Sequence, residues 1–151
     1  MSEAECLKIF SNHYEMFISS CDAAEAKGLW DKYEYGEMEA YFANVFVTVI
    51  IRLAAANGEI TEAETEMLNE MLGSEYTEDE LKTIYDDAGD MMDDLYGNYL
   101  KEDIELLKKT APGLDEHFCR LLVEACDLLS NADGLDNVEK EMIEDLKEKL
   151  D

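Results

Sequence analysis

Hydrophobic residues recur at steps of three and four along almost the whole chain, which is the period of an amphipathic α-helix. One segment, from about 37 to 56, is apolar on nearly all sides, and this indicates a central, buried helix. The other predicted helices are an early one that ends near Gly28 and segments at about 62–72, 77–110 with a break or kink at Gly97 and Asn98, 114–131 and 138–150. No stretch shows the alternation of apolar and polar residues that is typical of a β-strand. We therefore predict an all-α fold, a single compact bundle of six or seven helices over residues 1–151.

The same pattern predicts which residues form the core and where two helices begin. Thr77 followed three residues later by Glu80 is the signature of a capping box, in which each residue satisfies a backbone group of the other. On α-helical spacing we expect the two central helices to pack together through Phe46, Ile50 and Leu53 on one and Leu122, Cys126 and Leu129 on the other.

The charge of the chain restricts its partners. The sequence has 12 basic and 38 acidic residues, a formal net charge of −26, yet 47% of its residues are hydrophobic, which is enough for a core. Direct binding to DNA or RNA requires clustered Lys and Arg, and an anionic membrane surface would repel this chain. A basic protein partner or a cation is compatible with the charge.

The beginning of the chain and its cysteines bear on the compartment. Residues 1–5 lack the positive and apolar regions of a signal peptide, and the longest apolar run, at 45–51, is too short to span a bilayer. None of the four cysteines is spaced as C-x-x-C. We therefore expect a cytoplasmic protein with reduced, mostly buried thiols.

An internal repeat is the most informative feature of the sequence. Residues 45–58 correspond to 121–134, and after one deleted loop residue the match continues into the following helix, so that the repeats cover about 37–72 and 114–150. In both copies a glycine follows the first helix (Gly58, Gly134), where a left-handed residue ends it. Thr61 with Glu64, and Asp136 with Glu139, would cap the second helix. The sequence thus predicts two related helix-turn-helix units.

These residues resemble the TerB-like family, whose members are associated with tellurite resistance and related stress proteins. The similar elements are a buried helix that ends in Ala-Asn-Gly or Ala-Asp-Gly, a hydrophobic residue, a short gap and a glutamate in the next helix. The resemblance implies repeated helix pairs and an acidic surface that binds metal. By position, the family's Asp and Glu fall on Asn57 and Glu64 in one copy and on Asp133 and Glu139 in the other. Asn57 departs from the aspartate pattern and removes one charge.

The two loops are candidates for binding a divalent cation such as calcium, magnesium or manganese. Neither loop is an EF-hand, because the first ligand positions would be Leu53 and Leu129, which have no side-chain oxygen. Asp133, Asp136 and Glu139 make the second loop the better candidate. We expect the carboxylates of both loops to be exposed beside helix N-termini. Helix capping is the alternative role of the same residues.

The densest acidic stretch, from Glu59 to Asp94, contains Lys82 as its single basic residue. Asp86, Asp87 and Asp90 fit the D-D-x-x-D pattern that holds magnesium in prenyl-diphosphate enzymes, but the chain has almost no Lys or Arg to grip a diphosphate. We favour a solvated helix face opposite Leu81. Since like charges four residues apart are destabilising, such a face suits a surface that meets cations or a basic partner.

No catalytic function is expected, because the sequence offers no combination of nucleophile, base and oxyanion donors. His13 and His117 lack the Glu-x-x-His spacing of di-iron bundles and carry no signal of their own. The hypothesis is a non-catalytic, TerB-like module that binds a divalent cation, a protein partner or both in a stress response. The alternative is an acidic mimic of nucleic acid that occupies the basic groove of a DNA-binding protein.

Overall fold

The computed structural model describes residues 2–55, 60–133 and 137–150, without the side chains of 130–133, 137–139, 142, 143, 149 and 150. All regular structure in these ranges is helical, as predicted. The elements are α1 (Glu3–Ala26), α2 (Lys32–Tyr35), α3 (Met38–Ala54), α4 (Glu62–Leu72), α5 (Glu78–Asp94), a π-helical turn (Leu95–Tyr99), α6 (Leu100–Thr110), α7 (Leu114–Asp133) and α8 (Asn137–Leu150).

Local signals place the helix ends. The capping boxes of Thr61 with Glu64 and of Thr77 with Glu80 are both formed, and they start α4 and α5. Gly73 ends α4 in the left-handed conformation, with φ of 64°, which a residue without a Cβ adopts without strain.

The break or kink expected at Gly97 and Asn98 takes the form of a π-helical turn, which interrupts the α-helix between Asp94 and Leu100. In this turn the Leu100 N–H donates to the Leu95 carbonyl, and the chain stays helical from α5 to α6. The aromatic residues around the short helix α2 differ in burial. Trp30, just before α2, is buried and its Nε1 donates to the Gly36 carbonyl at 2.8 Å, Tyr35 packs against it, and Tyr33 is fully exposed.

Helices α3 and α7 lie in the centre and pack against each other. All six residues predicted to meet there (Phe46, Ile50, Leu53, Leu122, Cys126 and Leu129) are buried in one hydrophobic core. Helix α1 packs antiparallel along α7, since His13 contacts Glu124 whereas Phe17 contacts Phe118. Helix α4 packs on α7, and α8 packs on α3.

Of the four cysteines, Cys21 and Cys126 are buried, and Cys6 and Cys119 are half-buried. Burial raises the pKa of both Cys21 and Cys126 to about 12, so these two thiols are protonated and unreactive at neutral pH. Among the helices that the structure describes, none combines the length and the apolar character needed to cross a membrane.

Candidate functional site

The first loop of the repeat uses its glutamate for structure. Glu64 is fully buried, and its Oε1 accepts hydrogen bonds from the backbone N–H and the hydroxyl of Thr61, both at 3.1 Å. The Glu64 N–H in turn donates to Thr61 Oγ1 at 3.1 Å. The expectation of an exposed carboxylate is therefore wrong for Glu64, because it lies in the first turn of α4, a helix that packs on α7.

The other predicted ligands lie wholly or in part outside what the structure describes. Asn57 and Asp136 lie outside the described residues. Asp133 ends α7 and Glu139 lies in the first turn of α8, but their side chains are likewise outside what the structure describes. Within the described residues, no group of three or more His, Cys, Asp or Glu side chains is arranged to hold a metal ion. The cation prediction stays a prediction.

A cleft of about 550 Å³ lies between the starts of α4 and α5. Three of its described lining residues, Glu78, Asp79 and Asp86, are exposed carboxylates, and Lys82 is an exposed cation between them. The remaining described lining is largely apolar or aromatic and consists of Ala55, Ile60, Thr61 and Tyr85. Carboxylates beside an apolar surface match the chemistry of a lysine or arginine side chain, whose aliphatic stem packs while its charged end meets an acid.

The acidic face of α5, defined as Asp86, Asp87, Asp90 and Asp94, continues from this cleft along the helix. All four side chains are exposed, whereas Leu81 and Met92 of the same helix are buried. The solvated face that the sequence favoured over a magnesium motif is therefore what α5 presents.

A cationic contact that the sequence did not reveal holds the C-terminal end of α5. Arg52 of α3 donates from Nε to Asp93 Oδ1 at 2.7 Å, and its guanidinium lies 4.3 Å from the centre of the Tyr96 ring. The Tyr96 hydroxyl donates to Asp145 Oδ2 at 2.9 Å. Burial, followed by the bond to Asp145, raises the pKa of Tyr96. These contacts connect α3, α5, the π-helical turn and α8, and so they fix the α5 face on the core.

The structure also brings together the two histidines. His13 Nδ1 lies 2.7 Å from Glu124 Oε1, and the rings of His13 and His117 are 6.2 Å apart between centroids. The residues lie on α1 and α7 and are too far apart in sequence for any spacing motif to connect them. Helical periodicity places both histidines beside core positions, and only the antiparallel packing of α1 on α7 makes them neighbours.

Comparisons of the chain with protein-family models, with curated proteins and with solved structures give no match. The TerB-like resemblance therefore stays an expectation from the residues of the two repeats. The cleft and the acidic face of α5 are the surfaces whose chemistry points to a ligand.

Proposed function

We propose that the protein is a non-catalytic acidic module that binds a basic segment of a partner protein. The observation that supports this best is the acidic face of α5, exposed on a helix whose C-terminal end is held by the Arg52–Asp93 contact and which adjoins a cleft with acidic and apolar walls. A partner that offers lysine or arginine side chains complements both the charge of the face and the mixed lining of the cleft.

The energetics of α5 support a binding role for its acids. Asp86 and Asp90, and likewise Asp90 and Asp94, are like charges four residues apart, and each such pair costs about 0.2–0.5 kcal/mol of helix stability. The net charge of −26 adds a long-range field that speeds the approach of a basic partner. Neutralisation by such a partner relieves the repulsion, so part of the binding energy comes from the strained surface itself.

We also propose that the protein is a TerB-like module of a tellurite-type stress response, and the helix packing supports the repeated helix pairs that this resemblance implies. At the spacing of the repeat, the positions of α3 and α7 are buried in matching pairs: Phe42 and Phe118, Phe46 and Leu122, Ile50 and Cys126, Leu53 and Leu129. The second helix of each unit packs on the first helix of the other, α4 on α7 and α8 on α3. Both features are expected of two related units.

Removing two charges from the α5 face should weaken binding to a lysine-rich peptide. We expect the Asp86→Asn, Asp90→Asn variant to bind several-fold more weakly than the native protein, because two charges are lost where the peptide docks. Calorimetry at low and at physiological salt measures the affinity, and NMR shift mapping locates the peptide. Glu5→Gln, Glu15→Gln is the matched control, since it removes the same charge from exposed positions on α1. Equal losses in both variants would show that only net charge matters and would contradict a docking face on α5.

The nucleic-acid mimic is the other outcome that this surface permits. Affinity capture followed by competition with duplex DNA separates the two functions. A captured DNA-binding protein that DNA displaces would support the mimic, whereas a partner that DNA leaves in place supports the module. Salt alone does not discriminate, because both complexes are electrostatic.

A divalent cation is the second ligand that we propose, at Asp133, Asp136 and Glu139. Since Glu64 serves a capping box, binding in the first loop would have to break that box, and the second loop is favoured. Calorimetric titration of calcium, magnesium and manganese into chelator-treated protein should show a saturable phase that Asp133→Asn, Glu139→Gln removes. Diffuse binding to the α5 face should persist in that variant. No saturable phase below about 1 mM, the weak end of protein calcium sites, would return these residues to helix capping.

A further inference from the structure

Two histidines and one carboxylate meet at the packed interface of α1 and α7. Glu124 Oε1 of α7 pairs with His13 Nδ1 of α1 at 2.7 Å. The His117 ring lies edge-on to the His13 ring, with 6.2 Å between centroids and an interplanar angle of 84°. A single carboxylate thus faces two imidazole rings, and it is already engaged by one of them.

The surroundings of His117 are unfavourable to a positive charge. Its ring contacts that of Phe17, with 5.8 Å between centroids, and Phe17 in turn packs on the buried Phe118. The positive charge of Arg120 acts on His117 from the same helix. A groove of about 350 Å³ between α1 and the turn before α7 reaches His117, so solvent protons have access to it.

The other helices at this interface present apolar residues or charges that are already engaged or face solvent. Helix α3 contributes aromatic rings. The negative charge of its Glu39 adds to the rise that burial causes in the pKa of Tyr14 and of Cys21 on α1. Helix α4 buries Met67, Leu68 and Met71 and the capping residue Glu64, whereas its remaining carboxylates, Glu62, Glu66 and Glu70, are exposed. On α6, Asp103 accepts a hydrogen bond from Tyr41, and Lys108 and Lys109 are exposed.

We propose that His13, Glu124 and His117 form a proton-responsive latch, which holds α1 on α7 at neutral pH and loosens when His117 takes up a proton. At neutral pH the uncharged His117 packs on Phe17 beside the His13–Glu124 pair. On acidification the protonated His117 ring places a positive charge near Arg120 and against the Phe17 ring, beside a carboxylate that His13 already engages. The separation of α1 from α7 relieves this repulsion and returns His117 to water.

Burial, the largest influence, lowers the pKa of His117 below its ordinary value and outweighs the hydrogen bond to the His13 backbone, which raises it. The unfolded or detached state therefore takes up a proton at higher pH than the native state does. The stabilising contribution of neutral His117 is complete above the unfolded pKa of about 6.5 and is lost as the pH falls through the lower native pKa.

As the pH falls, protonation of the many carboxylates of the chain stabilises the native state, whereas protonation of His117 destabilises it. The experiment must separate these two effects. Partial neutralisation of a net charge of −26 reduces self-repulsion, which stabilises the compact state as the pH falls. The effect of the latch is therefore measured as the difference in pH dependence between the native protein and variants that have almost the same net charge.

Amide hydrogen exchange of the full chain at pH 7.5 and 5.5, corrected for intrinsic exchange rates, tests the latch. We expect α1 to lose protection at pH 5.5 relative to α5 in the native protein, and His117→Gln to abolish this selective loss. Glu124→Gln removes the carboxylate that favours a protonated His117, so the loss of α1 protection at pH 5.5 should be larger than in the native protein. Glu116→Gln, an exposed position on α7, is the charge-matched control and should behave like the native protein.

An NMR titration of the His117 ring in the native protein keeps the test valid if a variant fails to fold. The midpoint for His117 should lie below 6.5 and coincide with the loss of α1 protection. Equal pH dependence in the native protein and His117→Gln would overturn the latch. A gain of α1 protection in acid would overturn it as well, because it would mean that protonated His117 turns to Glu124 Oε2, an oxygen that is buried without a hydrogen bond in the described part of the chain.

Discussion

Replacing Ile50 with alanine should lower the free energy of unfolding by about 2–5 kcal/mol. Ile50 is fully buried in the C-terminal half of α3, the helix that contacts α1, α5, α7 and α8. The alanine removes three carbons from a site enclosed by several helices, and the surrounding core relaxes only partly into the space. Urea denaturation followed by circular dichroism measures the loss as a lower midpoint at unchanged slope.

The matched control is Ile9→Ala, the same change on α1 at a side chain that is 38% exposed. Its cost should be clearly smaller, because less apolar surface leaves the protein interior and solvent fills the space. Equal costs at the two positions would contradict the central place of α3. A cost near zero for Ile50→Ala would mean that α3 and α7 do not form the core.

The fold was largely predictable because its signals are local. Three- and four-residue periodicity, the capping pairs at Thr61 and Thr77 and the stop at Gly73 all act within one or two turns of helix. Gly97 and Asn98 predicted a break or kink in the α-helix, but they did not predict that the interruption would be a π-helical turn. There, the packing of Tyr96 against Arg52 and its bond to Asp145 hold the chain in a helical path that local preference does not favour.

The candidate site was predicted less well, since its geometry depends on contacts between distant segments. The exposed acids of α5 follow from amphipathic spacing, and they were found. The cleft needs α4 and α5 side by side, and the pairing of His13 with Glu124 needs the register of α1 on α7. Neither follows from residue types alone. For Glu64, the sequence allowed both an exposed ligand and a cap, and the burial of α4 against α7 selects the cap.

Replacing Glu64 with alanine should therefore destabilise the protein by about 1–3 kcal/mol, the usual cost of leaving a buried hydrogen-bonding group without its partner. The Thr61 N–H and hydroxyl both lose the acceptor that Glu64 Oε1 provides, and the first turn of α4 loses one half of its capping box. Thermal or urea unfolding measures the change. Glu66→Ala is the control, because it removes the same side chain from an exposed position of α4.

A capping role and a ligand role of Glu64 predict a different dependence on metal for the stability that Glu64→Ala loses. If Glu64 is a cap, Glu64→Ala costs the same in chelator as in millimolar calcium, magnesium or manganese. The losses of unfolding free energy in Glu64→Ala and in Thr61→Ala should then be far from additive in the double variant, because either change breaks the same capping box. Glu64→Gln keeps one acceptor oxygen and should restore part of the stability. A loss that appears only when the cation is present would instead make Glu64 a ligand, because a bound metal adds to stability only while its ligands are intact.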